Sequence, residues 1–145
     1  MRSSVFALGV VCLLVAADPT DSDKKELEKF NGTWRWIFLE SEGVKVPEDQ
    51  FKNSRLVIDG DRFTSQEADV TYRGTFKVSP GSKPKAIDVV FTEGPEKGKS
   101  FKGIYELEGD VYKVCLGMPG RERPTQFVSK PGSGHVLEIL RRQKR

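Results

Sequence analysis

Two short motifs of this chain come closest to a catalytic site, and the spacing of each is wrong for the chemistry. Residues 94–100 read GPEKGKS, one residue shorter than the phosphate-binding loop G-x-x-x-x-G-K-S. They also join two predicted strands, whereas that loop joins a strand to a helix. Residues 131–135 read PGSGH, which is not the nucleophile motif G-x-S-x-G, and adjacent strand residues face opposite ways. We therefore predict a protein that is not an enzyme, with no catalytic residues.

Cysteine and histidine are too scarce for a transition-metal cluster. His135 is the single histidine, and Cys115 is the one cysteine outside the apolar N-terminal run. No metal site and no cofactor are therefore predicted. Cys115 is expected to be a partly or wholly buried strand residue, because a reactive thiol would need a base or a cation beside it.

A row of large aromatic residues is better suited to binding than to catalysis. In GTWRWIFLESEG, residues 32–43, strand alternation places Trp34, Trp36 and Phe38 on one face. Aromatic residues of later predicted strands are expected to continue this wall around a small apolar ligand. The predicted ligand-binding wall consists of Trp36, Phe38, Tyr72, Phe76, Phe91 and Tyr105.

The first residues have the pattern of a targeting segment. Arg2 is followed by an apolar or small-residue run, residues 5–17, that ends in Val-Ala-Ala before Asp18. This run is too short to span a bilayer as a stable helix, so we expect a cleaved secretory signal at 1–17 and not a membrane anchor. The remaining residues, 18–145, suffice for one domain, which we expect to be secreted or periplasmic with no transmembrane segment.

The charge balance does not indicate nucleic-acid binding. The net charge is only +3, and the basic residues do not gather into a patch outside the last five positions, RRQKR. That run is interpreted as a solvated terminus, with adhesion to an anionic envelope surface as the alternative. We expect a monomer.

The domain reads as strands separated by turns. One helix is predicted in DSDKKELEKFNG, residues 21–32, with Asp23 and Glu26 at capping-box spacing, and one helical turn at 46–52. About nine short strands are predicted: the strand at Trp34, then RLVID, RFTSQ, VTYRGTFKV, AIDVVFTE, FKGIYELE, VYKVCLG, TQFVS and HVLEILRR. Gly74 and Gly103 each lie mid-strand between aromatic residues, which favours the strong curvature of a barrel over a sandwich. The predicted fold is an all-β antiparallel up-and-down barrel.

Gly32-Thr33-Trp34, opening the first strand after a short helix, resembles the G-x-W signature of lipocalins and their calycin relatives. A longer resemblance, to an uncharacterised lipocalin-like domain family of planctomycete bacteria, covers the ordered series GTWRW, VPED, RLVIDGDRF, GTF, KPKAIDVVFTEGPEKGKS, GIYELEGD, RPTQF and SKPGSGHVLEILRR. The resemblance implies that Gly32 and Trp34 belong to the closed end of the barrel. It also implies a basic residue over Trp34, for which Arg141 is the candidate and Arg142 the alternative, and a lid over the mouth at 42–54.

Two functions are consistent with these features. A barrel of about eight strands either fills itself with side chains or holds one small ligand. The first hypothesis is a secreted or periplasmic protein that binds a small hydrophobic ligand. The second is a non-enzymatic envelope module with a filled barrel, whose loops contact a protein partner. In the binding hypothesis, Arg121 or Arg123 either contacts an acidic head group or is simply a solvated loop charge.

Overall fold

One short helix precedes the sheet. The computed structural model describes residues 19–144, in which α1 spans Asp21–Glu28. Thr20 is its N-cap: its hydroxyl accepts a hydrogen bond from the Asp23 N–H, and the Asp23 carboxylate accepts one from the Thr20 N–H, each at 3.1 Å. The predicted capping box was therefore wrong by three residues, because Asp23 occupies its last position and not its first. The predicted signal sequence lies outside the described residues.

Eight antiparallel strands close into a barrel, which confirms the predicted fold class. Neighbours along the chain pair in order, and β1 pairs with both β3 and β9 to close the ring, while β2 only extends β1 as a hairpin. The strands are β1 Gly32–Ser41, β2 Val44–Lys45, β3 Arg55–Asp59, β4 Arg62–Glu67, β5 Val70–Ser79, β6 Ala86–Glu93, β7 Ser100–Glu108, β8 Val111–Gly117 and β9 His135–Arg142.

Two connections differ from the sequence prediction. TQFVS, residues 125–129, is not a strand and lies in a long connection from 118 to 134. Since β8 pairs with β7 and β9 on its two sides, the closed barrel leaves no free edge there for another strand. The helical turn predicted at 46–52 is present as a short 3₁₀ helix, Glu48–Gln50.

A β-bulge in β1 changes which of its side chains face the barrel interior. Trp36 lies opposite Leu140 of β9, but the register shifts at the next residue, so that Phe38 lies opposite Ile139. Ile37, the extra residue, is 47% exposed. Because side chains alternate along a strand, one inserted residue reverses the face of those that follow. The sequence prediction that Phe38 shares the inner face of Trp34 and Trp36 was therefore wrong.

The closed half of the barrel is filled with aromatic side chains. Phe30, between α1 and β1, is fully buried and packs edge-on against three rings. The centroids of Phe76, Tyr105 and Tyr112 lie 5.5, 5.2 and 5.2 Å from that of Phe30.

In the range 19–144, no helix has the length and apolar character needed to cross a bilayer.

Candidate functional site

The open half of the barrel contains a cavity of about 350 Å³. Strands β3 to β9 and the middle of β1 contribute to its walls, and most of the side chains are aliphatic or aromatic. The lining comprises Trp36, Leu56, Ile58, Phe63, Ser65, Glu67, Tyr72, Phe76, Ile87, Val89, Phe91, Glu96, Lys99, Phe101, Tyr112, Val114, Leu116, Met118, Pro119 and Glu138. Its volume lies near the lower end of the range of about 300–1,000 Å³ for small-molecule pockets.

Phe91 is the centre of the aromatic wall. Its ring contacts three others edge-on, with centroid distances of 5.3 Å to Phe63, 6.0 Å to Tyr72 and 5.2 Å to Phe101. Edge-on packing of this kind holds each ring in a defined orientation. The wall is therefore a preformed apolar surface on the β4 to β7 side of the cavity.

Four of the six residues predicted for the ligand wall line this cavity: Trp36, Tyr72, Phe76 and Phe91. The other two do not. Phe38 lies beyond the bulge, with the Lys45 ammonium 5.7 Å from its ring centroid. Tyr105 faces inward but lies in the closed half of the barrel.

Tyr105 forms part of a buried polar group under the helix. Its hydroxyl donates a 3.0 Å hydrogen bond to the carboxylate of Glu26, which also pairs with Lys29 and Lys85 at 3.0 Å each. Burial opposes ionisation of Glu26, but these three hydrogen bonds outweigh it and lower its pKa. Tyr105 therefore attaches α1 to the barrel.

Trp34 closes the bottom of the barrel, and Arg142 is the cation that covers it. The Arg142 guanidinium lies 4.4 Å from the Trp34 ring centroid, and the indole N–H donates a 2.7 Å hydrogen bond to the carbonyl of Phe30. Gly32, with a positive φ of 136°, approaches the Arg142 side chain so closely that a Cβ atom would lie 3.2 Å from Nη1. The preferred assignment of this role to Arg141 was wrong, and the alternative, Arg142, holds it.

Arg141 was wrongly assigned because β9 has apolar residues on both faces, and the long connection from 118 to 134 covers part of the outer one. Leu140 is fully buried inside the barrel, so Arg142 shares its face and Arg141 shares the outer face of Leu137 and Ile139. That outer face is also apolar. Cys115 of β8 lies opposite Leu137 and is fully buried, and its Sγ donates a 3.5 Å hydrogen bond to the carbonyl of Val128 in the long connection. A strand covered on both faces gives no clear alternation from which to assign its inner side.

The mouth of the cavity is formed by three connections on the open side. Glu67 precedes the β4–β5 turn, Glu96 and Lys99 lie in the β6–β7 connection, and Met118, which is 42% exposed, begins the β8–β9 connection. Among the described residues, the lid expected at 42–54 contributes no side chain to the lining. The structure therefore gives no support to the prediction that this segment is a lid over the mouth.

The two loop arginines do not reach the cavity. Arg123 donates Nη1 hydrogen bonds to the carbonyls of Ile87 and Gly103, at 3.0 and 2.8 Å, and pairs with Asp88 at 2.6 Å. This fork fixes the β8–β9 connection to β6 and β7. The Arg121 side chain packs against Gly134. Neither arginine is therefore placed to bind an acidic head group inside the barrel.

Glu138 is a charged, inward-facing residue of the cavity that was not predicted from the sequence. It lies on β9 between Val136 and Leu140 in the inward phase, opposite Leu39 and Val114. Burial raises its pKa to about 7, the negative charge of Glu67 acts in the same direction, and interaction with the Trp36 side chain acts against both. The sequence signal for this position was that Glu138 shares a strand face with Leu140. It was not recognised because the other face of β9 was predicted to point inward.

The remaining polar groups of the cavity lie toward the mouth. Lys99 pairs with Glu96 at 2.8 Å, so its charge is already compensated. The Ser65 hydroxyl donates a 3.3 Å hydrogen bond to Glu67. Burial, with smaller contributions from Glu67 and Glu96, raises the pKa of Tyr72. The cavity is thus apolar over most of its wall and acidic at Glu138 and Glu67.

The single cysteine in the described range is an unreactive structural residue. Burial raises the pKa of the Cys115 thiol to about 11, which keeps it protonated near neutral pH. His135 lies opposite Gly117, two positions along β8 from Cys115. No group of three or more potential metal ligands occurs within residues 19–144.

Comparison of the chain with protein-family models, with curated proteins and with solved structures finds no match in any of the three.

Proposed function

We propose that this protein is a non-enzymatic, monomeric binding protein that holds one small hydrophobic molecule reversibly in its barrel. The supporting observation is the cavity of about 350 Å³ behind the Phe91 wall, which reaches the surface at Met118. Apolar area buried there would stabilise a bound ligand by about 25 cal/mol per Å² before the costs of association.

The resemblance to lipocalin-like domains supports the same proposal. The G-x-W tryptophan, Trp34, lies under a basic residue from the last strand, as the resemblance implies. We further propose that the mature protein is secreted or periplasmic, on the apolar run and small-residue ending of residues 5–17. Carrier or sensor activity in the cell envelope would fit that location.

The alternative of an envelope module with a filled barrel fits the structure less well. Side chains around Phe30 do fill the closed half. The open half instead retains a connected cavity. A scaffold that acts only through its loops has no need of such a cavity, so the binding function is preferred.

The test is a comparison of two neighbouring valines of β6. Val89 faces the cavity, while Val90 faces outward and is 39% exposed. We expect Val89→Phe to fill part of the cavity and weaken binding of an uncharged naphthalene-type fluorophore at least about tenfold, because the displaced ligand loses its apolar contacts. Val90→Phe adds the same ring outside the barrel and should bind as the unsubstituted protein does.

Binding is measured by dye emission and calorimetry, and thermal unfolding confirms that each variant is folded. If the folded protein shows no saturable one-to-one binding of the dye, or if both variants bind equally well, the proposed function is wrong.

A further inference from the structure

The acidic groups of the cavity are not balanced by cations of the protein. Three carboxylates, Glu67, Glu96 and Glu138, line it with one lysine, Lys99. Lys99 is paired with Glu96. Among residues 19–144, no lysine or arginine lies within ion-pair distance of Glu67 or Glu138.

Ionisation of Glu138 costs free energy unless a positive charge lies beside its carboxylate. Its side chain is half-buried, and its carboxyl group lies on the inner wall beside apolar residues and the Trp36 ring. A carboxylate in such surroundings is destabilised by loss of hydration. A ligand that supplies a positive charge would remove that cost, whereas an anionic ligand would add to it.

The aromatic wall also favours a positively charged ligand. The faces of Trp, Tyr and Phe rings carry negative electrostatic potential and attract organic cations. Trp36, Tyr72 and Phe91 border the cavity together with Glu138. An apolar, aromatic and acidic pocket therefore matches an amphiphile with a cationic group.

We propose that the ligand of this cavity is a small hydrophobic amine, bound as its ammonium form with the positive charge against Glu138 and the apolar part along the Phe91 wall. This proposal rests on the proposed function, since it names the chemical class of the molecule that the barrel holds. Glu67, nearer the mouth, supplies the second negative charge.

Three eight-carbon probes that differ only in their head group test the charge preference: octylamine, 1-octanol and octanoate. An alkylammonium resembles the lysine side chain, whose ordinary pKa is about 10.4, so it stays charged at about pH 8.5 and about pH 5.5. At the higher pH we expect octylamine to bind at least about tenfold more tightly than octanol, and octanoate to bind most weakly. At the lower pH, protonation of Glu138 should reduce the advantage of octylamine several-fold.

Binding of the ammonium should also release protons. The other titratable groups facing the cavity are Glu67, Glu96, Lys99, Tyr72 and Tyr112, of which the two tyrosines have pKa values raised by burial. At pH 7 a half-protonated Glu138 should lose up to about half a proton when octylamine binds and none when octanol binds. Calorimetry in buffers of different ionisation enthalpy measures this number directly.

Glu138→Gln keeps the side-chain shape and removes its charge. It should reduce the advantage of octylamine several-fold and abolish the proton release, while octanol binding remains. Glu108→Gln is the matched control: it removes one negative charge from an exposed site on β7 and should change neither quantity.

The outcomes separate the two proposals. If octanol binds but octylamine binds no more tightly, or if octanoate binds best, the amine proposal is overturned and the binding function stands. If none of the three probes binds the folded protein, both proposals fall. Should Glu138→Gln fail to fold, the head-group ranking and the proton release of the unsubstituted protein still decide the question.

Discussion

Glu26 is buried and Glu138 is half-buried, and their surroundings shift their pKa values in opposite directions. Three donors, from Lys29, Lys85 and Tyr105, stabilise the ionised form of Glu26 and lower its pKa. Glu138 has no such set of donors, and burial raises its pKa. The first arrangement stabilises the fold near neutral pH, and the second destabilises it where Glu138 is ionised.

The pH dependence of stability should therefore report on Glu138. Since its pKa in the folded protein, about 7, lies above the ordinary value of 4.5, its contribution to stability is fully present below pH 4.5. That contribution is lost as the pH rises through 7. We expect Glu138→Gln to raise the free energy of unfolding by up to about 3 kcal/mol at about pH 8 and to have little effect at about pH 4.5.

Urea unfolding at the two pH values measures this difference. Glu108→Gln should leave stability nearly unchanged at both, because Glu108 is exposed. An equal effect of Glu138→Gln at both pH values would show that the ionisation of Glu138 does not oppose folding.

At the scale of the elements, close approaches inside the curved sheet depend on glycine. Gly74 of β5 lies under the Phe63 ring, and a Cβ atom placed there would come within 2.5 Å of that ring and would also overlap the backbone of β6. This arrangement agrees with the predicted role of mid-strand glycines flanked by aromatic residues. Phe63 in turn supports the Phe91 wall of the cavity.

Gly74→Ala should therefore be destabilising. We expect a loss of about 1–3 kcal/mol in the free energy of unfolding, because a neighbouring strand and a ring must both move. Gly81→Ala, where nothing lies within 4 Å of the added Cβ, is the control and should have little effect. Chemical denaturation compares them, and equal stability of the two variants would refute the close-packing explanation.

At the scale of the whole molecule, Arg142 joins the last strand to the elements at the closed end. It covers Trp34 and donates hydrogen bonds to the carbonyls of Lys29 and Asn31. Its Nε also pairs with Asp110 in the β7–β8 turn, at 3.0 Å. These contacts connect β9, the turn after α1 and the β7–β8 turn around one side chain.

Arg142→Ala should lower the free energy of unfolding by about 2–4 kcal/mol, because it removes the cation over Trp34 and leaves carbonyl groups without a partner. Arg141→Ala, at the exposed neighbouring position, should change it by less than about 0.5 kcal/mol. Thermal and denaturant unfolding, with tryptophan fluorescence as the probe, compare the two. Similar losses in both variants would contradict the role assigned to Arg142.

Much of the fold was predictable because its signals are local. Eight of the predicted strands are present, since alternating apolar residues between Gly, Pro and Asp turns specify strands within a few residues of sequence. The closed barrel follows from strand number, order and mid-strand glycines. Four of the six predicted wall residues line the cavity for the same reason, because strand alternation fixes their face.

The sequence by itself therefore determined the strands, their antiparallel order and an aromatic inner wall. The tertiary structure alone decided the bulge after Trp36, the inward phase of β9 and the pairing of Arg142 with Trp34. Each depends on pairing between residues about 100 positions apart, where an offset of one residue reverses every side chain. The tertiary structure also decided the acidity of the cavity, because the pKa of Glu138 depends on which distant residues surround it.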